Sequence, residues 1–194
     1  MSFTDEHISE TVQILNQIDS GLVERLVDYL VDLKSRKGRL FVLGVGGSAG
    51  NSSHAVNDFR KLAGIEAYAP SDNISELTAR ANDEGWNTIF SGWLRVSNLS
   101  KNDCLFILSV GGGSKESNVS VNLVEAIDYA IEVGAGVTGI VGRDGGHTAR
   151  NSDICVIIPV VNPDTVTPHS ESFQAIIWHL LVSHPKLKSN KTKW

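Results

Sequence analysis

Cysteine is scarce, two in 194 residues, which argues against a disulfide framework. Cys104 and Cys155 each sit inside an apolar run, CLFILSV and ICVIIPV, where a buried core thiol is the expected role. A basic excess is absent too. Seventeen Lys and Arg against 22 Asp and Glu leave a formal net charge of -5, which argues against a general nucleic-acid or membrane-surface binder, since both depend on a positive field. Small anionic ligands stay within reach, because backbone NH groups hold them locally. No run approaches the roughly 18 apolar residues that a bilayer crossing needs. No N-terminal stretch combines basic residues with a continuous apolar segment, so a cytoplasmic protein is expected. Internal repeats, linkers and low-complexity tracts are missing, and the length suits one domain with a core of its own.

Apolar residues recur at helical spacing from Ile8 to Leu33, which predicts one long amphipathic helix over 5–35 or two helices broken near Gly21. Beyond it, the strand-length runs LFVLGV, CLFILSV, VTGIVG and ICVIIPV alternate with helical segments such as NLVEAIDYAIEVGA. Strands this continuously apolar suit a sheet covered on both faces. The alternation predicts an α/β fold over 1–184, a doubly wound parallel sheet of about five strands with IEAYA as a weaker one, flanked by helices. A last helix is expected from Pro168 to Val182, opened by Thr167 and Pro168. Residues 185–194 lose all periodicity and are expected to form a loose tail.

In such a sheet ligands gather at the carboxyl ends of the strands, where this chain places two loops rich in Gly and Ser. The first carries Gly46, Gly47 and Ser48; the second carries Ser109, Gly111, Gly112, Gly113, Ser114, Ser117 and Ser120. Glycine permits close backbone approach, hydroxyls donate, and a following helix N-terminus adds free NH groups, which together describe a phosphate cradle. Taken alone, such a loop reads equally well as a flexible surface turn. Neither loop offers GxxxxGK[ST], and GVGGSAG misses the GxGxxG spacing, so a small phosphorylated ligand is preferred over a nucleotide.

His54 and Asp58, four residues apart, share one face of the helix after the first glycine turn. Glu171 and His179 lie roughly on one face of the last helix. Each pair alone is more often a surface ion pair or hydrogen bond. As a set, two imidazoles and two carboxylates could bind a divalent metal, with Zn2+ favoured by the nitrogen ligands. His169 is a further ligand candidate, or else it only lines the start of that helix. His7, His147 and His184 lie in contexts that suggest nothing specific.

In combination these features resemble the sugar isomerase (SIS) domain family, of the phosphoheptose isomerase type. The resemblance rests on GVGGS, on His54 six residues after Ser48 and Asp58 four later, on ANDEGWNTIF, on GRDGG, and on the interval from Glu171 to His179. It implies a homotetramer with sites at subunit interfaces, a serine-lined pocket for the phosphate of a sugar substrate, and in some members a bound zinc. It also implies interconversion of sedoheptulose 7-phosphate and a manno-heptose 7-phosphate through an enediol. Asp58 then stands where the family has a glutamate base and His179 at its acid. Glu171 falls at a glutamine, His54 at a metal-binding histidine, Asp83 at a substrate-binding aspartate, and Ser48, Ser109 and Ser120 at phosphate or sugar contacts. Three departures stand out. Val45 replaces the asparagine of GNGGS. SVGGGSKESNVS is several residues longer than the usual STSGNS, with Ser114 or Ser117 in a position to replace lost hydroxyls. Asp58 is a methylene shorter than glutamate, which leaves Glu171 as an alternative base. A set of His54, Asp58, Glu171 and His179 is more anionic than one with glutamine and implies tighter Zn2+ binding. The competing reading is a non-catalytic SIS protein, either a phosphosugar sensor or a protein-contact module of the DnaA initiator-associating type.

Overall fold

Strand β1 (Leu40–Leu43) sends its side chains alternately into two cores: Leu40 and Val42 join one apolar cluster, Phe41 and Leu43 the other. Strand β3 (Cys104–Ser109) repeats the division, with Cys104, Phe106 and Leu108 on the first side and Leu105 and Ile107 on the second. The period of two therefore survives inside runs that look uniformly apolar, because both faces of the sheet are covered. The computed structural model describes residues 2–192. In it these strands join β2 (Ala67–Tyr68), β4 (Gly136–Val141) and β5 (Ile154–Ile157) in the order β2-β1-β3-β4-β5, every pairing parallel.

The first core lies under α1 (Phe3–Gln17), α2 (Ser20–Ser35), α3 (Gly47–Asp58) and α8 (Val166–Ser183). The second lies under α4 (Ile74–Asp83), α5 (Ile89–Val96) and α6 (Val121–Val133). Large side chains such as Phe41, Phe106 and Trp178 are fully buried, each contributing about 2–3 kcal/mol of apolar transfer. Burial pushes the Cys104 and Cys155 thiols up to about 12, so neither is a reactive thiolate. At the amino ends of β1 and β3, Arg39 clamps the buried Asp103 through Nη2 at 2.7 Å, Nε at 3.1 Å and its own amide at 3.0 Å.

Three local expectations are corrected. The N-terminal helical stretch is two helices rather than one over 5–35, and the break falls at Ile18 and Asp19, close to Gly21. Asp19 accepts from the Leu22 amide at 2.9 Å and caps α2, so Gly21 sits inside its first turn. The last helix begins two residues before Pro168, at Val166, and its N-cap Thr165 makes no capping bond of its own. The stretch after His184 is not loose as far as it is described. Leu187 is fully buried in the first core, and Ser189 and Asn190 donate amides to the Leu62 carbonyl at 2.8 and 3.1 Å. A single apolar anchor holds it, which periodicity cannot reveal. Lys193 and Trp194 lie outside the described residues.

Candidate functional site

With this strand order the chain reverses its direction of winding between β1 and β3, and a crevice opens beyond their carboxyl ends. The turn from β1 into α3 lines one wall. A Cβ on Gly44 would overlap the Ser48 carbonyl, and Gly46 adopts φ 63 and ψ -128, so both need glycine. Gly46 supplies no side-chain cap to α3, which leaves the helix N-terminus open to an anion. Ser48 is 1% exposed and its Oγ has no hydrogen-bond partner among the described residues. A buried orphan hydroxyl at a cavity wall is what a ligand-binding donor looks like before its ligand arrives.

The opposite wall is the loop after β3. Ser109 Oγ accepts from the Gly112 amide at 3.0 Å, and Thr148 Oγ1 donates to the Gly112 carbonyl at 2.8 Å. The short helix α7 (Gly146–Arg150) holds the loop from behind through the His147 and Thr148 amides. Gly111 lines the cavity, while Gly112 packs against the Gly145 backbone with φ 69 and serves as the hinge of the loop. The extra residues fold into a small hairpin by pairing Ser114 with Val119. Ser114 Oγ donates to Glu116 at 2.9 Å, which ties it within the loop, and Ser117 lines the cavity beside it. Ser120 also lines the cavity, in a left-handed conformation and without capping α6.

Between these walls lies a cavity of about 800 Å³. Two of its lining residues, Arg143 and Arg150, were not singled out from the sequence, although GRDGG contains the first. Neither guanidinium has an ion-pair partner among the described residues, and Arg143 holds φ 52, an uncommon conformation for a side-chain-bearing residue. Thr167, just ahead of Pro168, completes the lining from α8. The cavity thus offers glycine amides, hydroxyls and the Arg143 and Arg150 guanidiniums beside the carboxylates of Glu116 and Asp144, and the cationic and amide donors suit a phosphate group.

The predicted His and Asp convergence is present farther along α3. Asp58 Oδ2 stands 3.7 Å from His54 Nε2 and 3.7 Å from His179 Nε2 on α8, and candidate ligand atoms of the three residues lie within 4.8 Å of one another. His179 Nδ1 lies 2.8 Å from the Ala175 carbonyl, an obligate acceptor, so that nitrogen carries the proton and Nε2 is left facing Asp58. Buried Trp178 meets both rings, at 4.7 Å from His54 and 3.5 Å from His179, and sets their orientation. A five-residue π-helical turn, Phe59–Ala63, follows Asp58 directly.

Two predicted residues do not join this cluster. Glu171 sits two helical turns before His179, with its carboxylate against Gly47 at the open N-terminus of α3; a side chain on Gly47 would overlap it. Eight residues at 100° each turn Glu171 away from His179, and the positive end of α3 attracts the carboxylate. The four-ligand set expected from spacing is therefore His54, Asp58 and His179, with Glu171 apart. Asp83 is exposed at the end of α4, accepts from Asn82 Nδ2, and does not line the cavity.

Comparison with known proteins agrees with this fold. The SIS domain family matches residues 5–142. The chain belongs to that family. Within it the chain is of the phosphoheptose isomerase type: it is 30% identical over 178 residues to the phosphoheptose isomerase of Geotalea daltonii, spanning 89% of this chain and 86% of that relative. It is 32% identical over 149 residues to that of Rhodospirillum rubrum, spanning 74% and 73%. The structure of phosphoheptose isomerase GmhA from Neisseria gonorrhoeae superposes with a TM-score of 0.78 at 25% identity, over 93% of this chain and 95% of that one. This kinship puts the SIS chain among enzymes of an isomerase type.

Proposed function

We propose that this SIS protein is an aldose-ketose isomerase that converts sedoheptulose 7-phosphate to D-glycero-D-manno-heptose 7-phosphate. The observation that carries the reading is the meeting of His179 on α8 with His54 and Asp58 on α3, the helix whose N-terminus borders the anion cavity. From Ser48 to His54 is roughly 9 Å along the helix axis, and to Asp58 roughly 15 Å. A sugar whose reacting carbons lie far from its phosphate suits that separation better than a triose does.

In this reading Ser48, Ser109, Ser120, Arg143 and Arg150 hold the phosphate, with the amides of the Gly46–Gly47 turn and of Gly111. Asp58 removes a proton from C1 of the ketose to leave a 1,2-enediol, and a proton is returned to C2 while the hydroxyl proton passes from O1 to O2. In the metal-free site the imidazolium form of His179 offers Nε2–H for the oxygen transfer; a metal held at that nitrogen would take over the role by polarising the substrate oxygens. Glu171 stands one turn beyond the cavity-lining Thr167 and is the alternative base. Two imidazole nitrogens and a carboxylate oxygen within 4.8 Å fit a divalent ion such as Zn2+. His54, Asp58 and His179 would hold it, and it would polarise the substrate oxygens. Asp83, exposed on α4, reaches a site only across a contact between copies, which a cytoplasmic homotetramer with shared sites supplies.

The test is incubation of the purified, zinc-supplemented protein with sedoheptulose 7-phosphate, following aldose formation. Conversion that is lost in Asp58→Asn and His179→Ala supports the reading. A folded, metal-loaded protein that binds the substrate without converting it refutes the reading in favour of a phosphosugar-binding module.

A further inference from the structure

Helix α1 is attached with little apolar help. Ile14 is its one buried residue, while Phe3, Ile8, Val12 and Leu15 remain exposed. What fastens it to the body is a polar cluster at Glu10. That carboxylate receives Asn162 Nδ2 at 2.6 Å, Thr165 Oγ1 at 2.8 Å and His169 Nε2 at 2.8 Å. His169 is buried at the start of α8, and His7, one turn before Glu10, stacks on its ring with centroids 4.3 Å apart and planes 17° apart. The Nδ1 of His7 is buried and has no hydrogen-bond partner among the described residues.

Candidate ligand atoms of His7, Glu10 and His169 lie within 4.8 Å of one another. We infer that these three residues form a second divalent-cation site, separate from His54, Asp58 and His179, which takes Zn2+ and staples α1 to the start of α8. Two imidazoles and one carboxylate are a zinc donor set, with water able to complete a tetrahedron. The cation takes the Nε2 position that now donates to Glu10, and the single proton of the neutral ring moves to Nδ1 by exchange with solvent. His7 gives up no hydrogen bond at Nδ1 when its ring turns from the stack to the ion. Asn162 and Thr165 keep the carboxylate oriented, the part that outer partners play around protein-bound metals. Because His169 is buried and Glu10 nearly so, the role is structural, and it bears on the segment of α8 that continues into Glu171.

The inference is tested on the full chain, stripped with chelator and reloaded with Zn2+. The His54→Ala/His179→Ala double variant should keep one Zn2+ per chain after dialysis and a zinc-dependent rise in Tm. Adding His7→Ala should weaken that binding at least about ten-fold and abolish the rise. The Glu10 to His169 brace remains in that variant, and circular dichroism reads its fold. A folded double variant that holds no Zn2+ overturns the inference, and so does undiminished binding after His7→Ala. Isomerase activity enters neither readout, so failure here is distinct from failure of the proposed function.

Discussion

Asp58 on α3 and His179 on α8 face each other at 3.7 Å, although nearly two thirds of the chain separates them. Their meeting depends on α3 and α8 lying side by side on one face of the sheet, and on Trp178, which is locked in the core beneath both histidine rings.

Asp58→Asn and His179→Ala should each lower kcat/KM for the heptulose phosphate about 10²- to 10⁴-fold, the usual weight of a proton-transfer group. Neither side chain belongs to the apolar core, so far-UV circular dichroism and Tm should stay close to wild type. Glu171→Gln should cost less than Asp58→Asn if Asp58 is the base. The reverse order, measured by steady-state kinetics, would assign proton removal to Glu171.

Ser48→Ala removes a hydroxyl that is buried without a partner among the described residues. Stability should hold or rise slightly, because nothing is left unpaired. Affinity for inorganic phosphate, measured by calorimetry, should fall about ten-fold or more, the value of a hydrogen bond to a charged group. Unchanged phosphate affinity would exclude Ser48 from the anion site.

Two glycine substitutions should separate chemistry from folding. In Gly47→Ala the new methyl meets the end of the Glu171 side chain, which can swing aside; a loss of activity with little change in Tm is expected. In Gly112→Ala the methyl meets the Gly145 backbone at a position with φ 69. That variant should lose roughly 1–3 kcal/mol by denaturant unfolding, since neither the strain nor the overlap has an easy outlet.

Acid should loosen the fold in a defined window. Burial raises the Asp103 pKa, but the Arg39 guanidinium and the Arg39 and Ser100 donors outweigh it and hold the carboxyl below its ordinary 3.8. Glu10 is held at about 2 against an ordinary 4.5. For both, the unfolded chain binds the proton more readily. Their stabilisation is complete above the ordinary values and is lost as pH falls through the depressed ones. Chemical denaturation from pH 6 to pH 2 should show the decline beginning near pH 4.5. Asp103→Asn should cost roughly 3 kcal/mol at neutral pH, the low end for opening a buried pair, because Arg39 is partly exposed. It should also flatten the acid limb.

The sheet was legible because burial on both faces demands unbroken apolar runs, and LFVLGV and CLFILSV are such runs. The glycine turns were legible for a related reason, since few residues other than glycine tolerate the backbone at Gly46 or Gly112. Arg143 and Arg150 were not, because an exposed arginine in a loop looks the same whether it faces solvent or a cavity. Leu187 and the cluster of His7, Glu10 and His169 were equally hidden, each depending on which distant helix lies opposite.

The sequence alone determined the α/β layering, the two glycine-rich turns and the shared face of His54 and Asp58, because all three follow from local backbone geometry and short-range periodicity. Only the tertiary structure decided that His179 closes that pair while Glu171 stands at Gly47, and that Ser48 is left without a partner among the described residues. Those outcomes depend on how α8 is rotated against α3, and that rotation is set by core packing around Trp178 and Phe173, not by any residue of the site.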